Sequence, residues 1–217
     1  MISTTRAESS QRRLRGARVH QAIRLEIVTV VWMVVEALGA VVAAWSSRSL
    51  LLLAFGIDSG IELISTVVLL WRLRQEAFAQ LNQSEGEKME RRAARIAGWL
   101  LYMLAIYVTL QAAYSLWERN AANTSFLGMG IAVVAALGMP FLAKTKLRVA
   151  DQIESHALQS DAMETLTCGY LAWALLTGLV VNALTHWWWI DSVASLAIVP
   201  LLLREAKEAF SGSCHSE

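Results

Sequence analysis

Two carboxylates lie four residues apart within the apolar stretch LLLLAFGIDSGIELISTVV. They are Asp58 and Glu62. In an α-helix, residues i and i+4 lie on one face, so both carboxylates point in the same direction. Carboxylates this close repel each other unless a cation or a proton lies between them. The pair therefore predicts a site that binds a divalent metal ion or relays protons, and a purely structural hydrogen-bonded pair is the alternative.

A second set of side chains with metal-binding chemistry occurs in the segment SDAMETLTCGY. Asp161, Glu164 and Cys168 follow one another at i, i+3 and i+7, which is again a single helical face. Carboxylate oxygens with one thiolate suit a borderline-soft divalent ion; zinc is favoured, and cadmium, iron(II), cobalt(II) and manganese(II) are also admissible. The alternative for Cys168 is a small buried hydrophobic residue.

Four further acids have competing interpretations. Glu36 lies in the middle of an apolar segment, where it either accepts a proton from the site or forms an interhelical hydrogen bond. Asp191 follows a cluster of tryptophans near the predicted membrane surface, where it is either a functional acid within the sixth segment or simply solvated. Asp151 and Glu154 precede the fifth apolar segment, where acids favour a helix N-terminus, so capping is predicted for both.

The elements that must position these residues are six apolar segments. The chain of 217 residues is 56% hydrophobic and only 17% charged, with a mean hydropathy of +0.45, which is far more apolar than an ordinary soluble domain. A helix needs about 20 apolar residues to cross a bilayer. The segments are 27–45, 49–71, 96–117, 124–143, 163–184 and 187–203. They predict an all-α integral membrane protein with six transmembrane helices.

Positive charge is distributed unevenly between the connecting loops. If the six segments alternate across the membrane, Arg48 and Arg119 fall on one side, and the other 17 of the 19 Lys and Arg fall opposite. Because basic residues concentrate on the cytoplasmic side, both termini are predicted to be cytoplasmic. A loop carrying Lys144, Lys146 and Arg148 is predicted on the same side.

The same topology divides the chain into three parts. Residues 1–19 form a basic cytoplasmic arm, residues 20–210 the six-helix transmembrane domain, and residues 211–217 a short cytoplasmic tail. The net charge of +1 gives no indication of a nucleic acid partner. Cys168 lies in the membrane and Cys214 in the tail, so no disulfide between them is expected. Cys214 and His215 are interpreted as part of a disordered terminus, with a metal-loading pair as the alternative.

These features together resemble the cation diffusion facilitator family, whose members have six helices and a central metal site on helices two and five. The family's second helix carries Asp-x-x-x-Asp, and this chain has IDSGIE at residues 57–62. The family's fifth helix reads approximately Ala-Asp-x-x-His-x-x-x-Asp, where this chain has SDAMETLTC at residues 160–168. Glu164 therefore replaces the usual His, and Cys168 replaces the usual Asp.

The resemblance implies a multi-pass cell-membrane transporter that exports divalent cations in exchange for protons. Its expected metal ligands are Asp58, Glu62, Glu164 and Cys168, with Asp161 as a nearby ligand or proton carrier. Nothing after Phe210 corresponds to the family's cytoplasmic α/β domain, so a short member without that domain is expected. A homodimer would then depend on helix packing, and five glycines allow close approach: Gly128, Gly130, Gly138, Gly169 and Gly178.

Two other classes of function are weighed against transport. A membrane-embedded enzyme using a metal or the Cys168 thiol is disfavoured, because no His accompanies the cysteine in the bilayer and no headgroup motif occurs. A non-transporting scaffold or regulatory protein is the second alternative. Metal-dependent stabilisation would argue against the scaffold, and proton-coupled flux would separate a transporter from an enzyme.

Overall fold

Six α-helices make up nearly all of the described chain. The structure, a computed structural model, describes residues 2–77, 83–120, 122–153, 155–185 and 187–211, and no strand occurs among them. The helices are α1 (Ile2–Ser47), α2 (Leu50–Ala77), α3 (Gln83–Glu118), α4 (Phe126–Ile153), α5 (His156–Thr185) and α6 (Ile190–Ser211). The prediction of an all-α integral membrane protein is confirmed. The predicted tail pair, Cys214 and His215, lies outside the described residues.

Five of the helices are long and apolar enough to cross a membrane. These segments are Arg18–Ser47, Leu50–Gln75, Arg95–Glu118, Phe126–Ile153 and Leu158–Thr185. The apolar part of α6 is shorter than that of the other five helices, because the C-terminal half of α6 carries the charged run REAKE at residues 204–208. Large apolar side chains such as Val31, Leu38 and Leu137 are more than half exposed, as expected for surfaces that face lipid.

Small residues line the contacts between helices. Ala40, Ala43, Ala132 and Ala135 are fully buried, which allows the backbones of α1 and α4 to approach closely. Helices α1, α2, α4 and α5 pack into a four-helix group, and α3 pairs with α6 at its side. The pair joins the group through contacts of α3 with α2 and of α6 with α5. The predicted metal residues lie on α2 and α5, two neighbouring helices of this group.

Three of the five glycines are used for packing within the chain. A Cβ at Gly169 would lie 2.9 Å from Cδ of Pro140, and Cβ atoms at Gly128 and Gly178 would lie within 2.7 Å of leucine side chains on α2. Gly130 and Gly138 have nothing within 4 Å of a built Cβ. Of the glycines predicted to support a dimer, only these two are open to a second molecule.

The end of α4 differs from the prediction. The predicted loop carrying Lys144, Lys146 and Arg148 is helical, because α4 continues to Ile153 and Lys146 has buried ionic partners there. Asp151 consequently lies in the last turn of α4 and does not cap α5. Ser155 caps α5 instead, since its Oγ accepts a hydrogen bond of 3.3 Å from the amide of Leu158. Glu154 lies outside the described residues.

Of the two interpretations of Asp191, solvation does not hold, because the residue is buried. Its carboxylate accepts hydrogen bonds from Ser49 Oγ at 2.5 Å and from the Leu50 amide at 2.7 Å. The amides of a helix's first turn have no partner within the helix and attract negative charge. Asp191 on α6 therefore caps the N-terminus of α2, the helix that carries Asp58 and Glu62.

Candidate metal centre

The two predicted stripes of site residues face each other across α2 and α5. Asp58 and Cys168 are almost fully buried, and Glu62 and Glu164 are partly buried. Glu62 on α2 interacts electrostatically with Glu164 on α5 and with Asp58 on its own helix. Helical periodicity explains this arrangement, because each stripe occupies one face of its helix. The structure thus brings acids from both predicted stripes into one electrostatic cluster.

Glu62 has an atom that the surrounding protein leaves unsatisfied. Its Oε1 is buried and has no hydrogen-bond partner. A buried carboxylate oxygen without a partner is costly, so such an atom in a native protein calls for an explanation. Because the neighbouring groups are themselves acidic, a cation or a proton is the natural partner for this oxygen.

Glu36 on α1 joins three helices at the level of Cys168. Its Oε1 accepts a hydrogen bond of 2.7 Å from Ser59 Oγ on α2, and the Cys168 thiol on α5 donates to the same oxygen at 3.6 Å. The Trp32 indole donates to the other oxygen at 2.6 Å. Of the two interpretations of Glu36, the interhelical hydrogen-bond partner is the one the geometry shows. The Cys168 thiol is oriented by this carboxylate.

Asp161 is paired with a lysine instead of pointing at the other predicted ligands. Lys146 on α4 forms an ion pair with Asp161 Oδ2, and Thr66 on α2 donates a hydrogen bond of 3.2 Å to Asp161 Oδ1. Lys146 also contacts Glu26 Oε2 on α1 at 3.3 Å. Asp161 is therefore one turn from Glu164 along α5 but engaged with a different set of partners.

Three of these charged residues were missed by the reasoning from the sequence: Glu26, Lys146 and Glu205. Lys146 shares a helical face with Ala143, Val149 and Ala150, all of them buried, and this periodicity is a signal that would have indicated burial. Glu205 on α6 follows Leu202 on the buried face of that helix and interacts electrostatically with Asp58, Glu62 and Glu164. It adds a partly buried carboxylate from a third helix to the cluster.

The cluster as it stands is not a finished coordination shell. Among the side chains that the structure describes, no three from His, Cys, Asp or Glu converge closely enough to hold a metal ion. Helices α2, α5 and α6 bring these carboxylates within electrostatic reach of one another.

A multi-pass membrane protein with buried carboxylates facing each other from its second and fifth helices is the class that the fold and the site define. Residues 27–213 match the sequence profile of the cation efflux transmembrane domain. The chain belongs to the cation efflux family, and the family expected from the sequence is confirmed.

A curated relative shares part of this domain. The chain is 24% identical over 170 residues to the manganese efflux system protein MneS of Bacillus subtilis (strain 168). The aligned region covers 76% of this chain and 57% of the relative. The chain therefore spans a little over half the length of that relative.

Proposed function

We propose that this protein is a divalent metal cation transporter that exports its substrate from the cytoplasm in exchange for protons. The observation that carries the proposal is the buried, unpartnered Oε1 of Glu62 among acids from two helices, Asp58 and Glu164. Family membership supports the same activity, since the matched domain is a cation efflux domain. Transport is therefore proposed in preference to catalysis or a scaffold role.

The proposed ligands are Asp58, Glu62, Glu164 and Cys168. All four must be deprotonated to bind a metal, so metal entry releases protons and proton entry releases metal. Because the carboxylates repel one another when the site is empty, they gain stability from either kind of cation. Because the metal and the protons compete for the same ligand atoms, binding of one is coupled to release of the other.

The donor atoms separate two classes of substrate. A site that includes the Cys168 thiolate favours Zn²⁺ or Cd²⁺, because sulfur is a soft ligand. If the thiol stays hydrogen-bonded to Glu36, the remaining donors are carboxylate oxygens, which suit Mn²⁺. Zn²⁺ remains the substrate expected from the residues, and the relative named a manganese efflux protein makes Mn²⁺ the first rival to test.

A homodimer within the membrane is part of the proposal. Gly130 and Gly138 lie on α4 with open space beside them, so a second copy can approach the backbone there. Cross-linking of cysteines introduced next to these glycines, in protein reconstituted in lipid, tests this interface. Protein that stays monomeric at every protein-to-lipid ratio would contradict the proposed dimer.

Flux into proteoliposomes with an imposed pH gradient tests the transport proposal. Asp58→Asn keeps the side-chain shape and removes one of the repelling charges, so the variant is expected to fold at least as stably as the wild type while losing metal flux. Asp151→Asn is the matched control, because Asp151 is exposed at the end of α4 and is not one of the proposed metal ligands.

Mn²⁺, Zn²⁺, Cd²⁺, Fe²⁺ and Co²⁺ should be compared in the same vesicles. Flux that needs both the gradient and Asp58 establishes the exchanger and ranks its substrates. Wild-type protein that is folded and carries none of these ions, with or without the gradient, would refute the transport proposal. Cys168→Ser then decides the ligand question, since loss of Zn²⁺ flux with Mn²⁺ flux retained would assign the thiol to zinc.

A further inference from the structure

A buried ion cluster lies beside the four proposed metal ligands. The cluster consists of Glu26 on α1, Lys146 on α4 and Asp161 on α5, whose side chains are 0%, 0% and 5% exposed. One ammonium group thus serves two carboxylates on two different helices. Since removal from water is costly for every one of these charges, each must keep a partner in any state the protein adopts.

The lysine is shared unequally between its two carboxylates. Lys146 Nζ is close to Asp161 Oδ2 and contacts Thr165 Oγ1, which lies on the same helix as Asp161, at 3.3 Å. It reaches Glu26 only through Oε2 at 3.3 Å. The other oxygen of Glu26, Oε1, is buried and has no hydrogen-bond partner. Glu26 therefore has an unused acceptor that a lysine ammonium, with three donors, can fill.

Asp161 connects this cluster to the metal site. It precedes Glu164 by three residues, so the two side chains lie on one face of α5. Asp161 and Glu62 also interact electrostatically across α2 and α5. Asp161 is thus the member of the buried ion cluster that lies on the same helical stripe as the proposed ligands.

We propose that Lys146 is a tethered cation that neutralises Asp161 while the metal site is empty and moves onto Glu26 when a divalent metal arrives, releasing Asp161 to the metal. The inference rests on the proposed transport function. Both arrangements keep Lys146 paired, and the metal replaces its charge at Asp161. In the metal-bound arrangement Asp161 is paired with the metal and Glu26 with Lys146, so each of these two carboxylates has its own cationic partner. Glu26 and Lys146 act as positioning residues, because neither touches the metal.

The test compares four variants of the full chain with the wild type, purified in detergent and titrated with Mn²⁺ and with Zn²⁺. Glu26→Gln removes the charge that receives Lys146, so metal affinity falls by roughly 5- to 150-fold, the usual range of coupling between two sites. Thr165→Val removes a contact that Lys146 makes only at Asp161, so metal affinity rises, by about fivefold for one hydrogen bond. A structural role for the cluster predicts no such rise.

The other two variants, Asp161→Asn alone and Asp161→Asn combined with Glu26→Gln, isolate the coupling. In an Asp161→Asn background the metal no longer gains Asp161, so adding Glu26→Gln changes affinity by less than about twofold. Independent, multiplicative effects of the two substitutions would overturn the inference, and so would equal affinity of the wild type and the Thr165→Val protein. If Glu26→Gln does not fold, the Thr165→Val result decides. If the wild-type protein binds neither ion, the proposed transport function itself is refuted, which is a different outcome from failure of the inference about Lys146.

Discussion

Replacing Lys146 with methionine removes a buried ammonium while keeping much of the volume of its aliphatic stem. Glu26 and Asp161 are then left at 0% and 5% exposure with no cation between them. Breaking a buried ion pair by removing one partner costs about 3 to 5 kcal/mol, because the remaining charge is neither solvated nor paired. For a chain of this length, each kcal/mol lowers the melting temperature by about 2 to 4 °C, so a fall of roughly 6 to 20 °C is expected.

The assay is thermal unfolding of the purified chain in one detergent, without added metal. Arg204→Met is the matched control, because it also removes a cation that pairs with a glutamate. The Arg204–Glu208 pair is 2.8 Å long, but its side chains are 75% and 60% exposed. Exposed pairs contribute about 0 to 1 kcal/mol, so this variant should melt within about 4 °C of the wild type.

A triple variant separates charge from packing. Glu26→Gln and Asp161→Asn, added to Lys146→Met, leave a neutral cluster that is expected to regain most of the lost stability. A Lys146→Met protein that melts as close to the wild type as the Arg204→Met control would refute the reasoning. It would show that water reaches this cluster and solvates its charges, so that they do not depend on one another for compensation.

Two further predictions concern the packing of the helices that carry the site. Gly169→Ala is expected to destabilise the protein by about 1 to 3 kcal/mol, since its new methyl group would meet the rigid ring of Pro140. Gly60→Ala is the control, because a Cβ there has open space and the substitution should be neutral or slightly stabilising. Equal melting temperatures of the two variants would contradict the α4–α5 contact. Asp191→Ala should cost about 1 to 3 kcal/mol, because the amide at the start of α2 and the Ser49 hydroxyl lose a charged acceptor, and Asp191→Asn should cost less; hydrogen exchange at the first turn of α2 should rise in the alanine variant, and unchanged exchange there would argue against the cap.

The six helices and the acidic faces of α2 and α5 were accessible from the sequence, because both depend on local periodicity. Long apolar runs specify the helices, and the spacing of Asp58 with Glu62 specifies a common face. Neither inference requires knowledge of which helices are neighbours. The same is true of family membership, which followed from the order of the two acidic stripes.

The roles of Lys146, Glu205 and Asp191 were not accessible in this way. All three lie near charged or aromatic segments, where a sequence pattern is typical of a membrane surface. Their burial arises from partners on other helices, more than 140 residues away for Asp191 and 120 for Lys146 with Glu26. The spacing of Lys146 from Ala143 and Ala150 indicates a buried face, but a pairwise contact leaves no periodic signal that tells which helix supplies the partner.

The buried ion cluster also has a consequence for how the chain is made. Glu26 is synthesised 120 residues before Lys146, and Asp161 follows Lys146 by 15. Since synthesis proceeds from the N-terminus, Glu26 on α1 is the first counter-ion available to Lys146, and Asp161 on α5 follows.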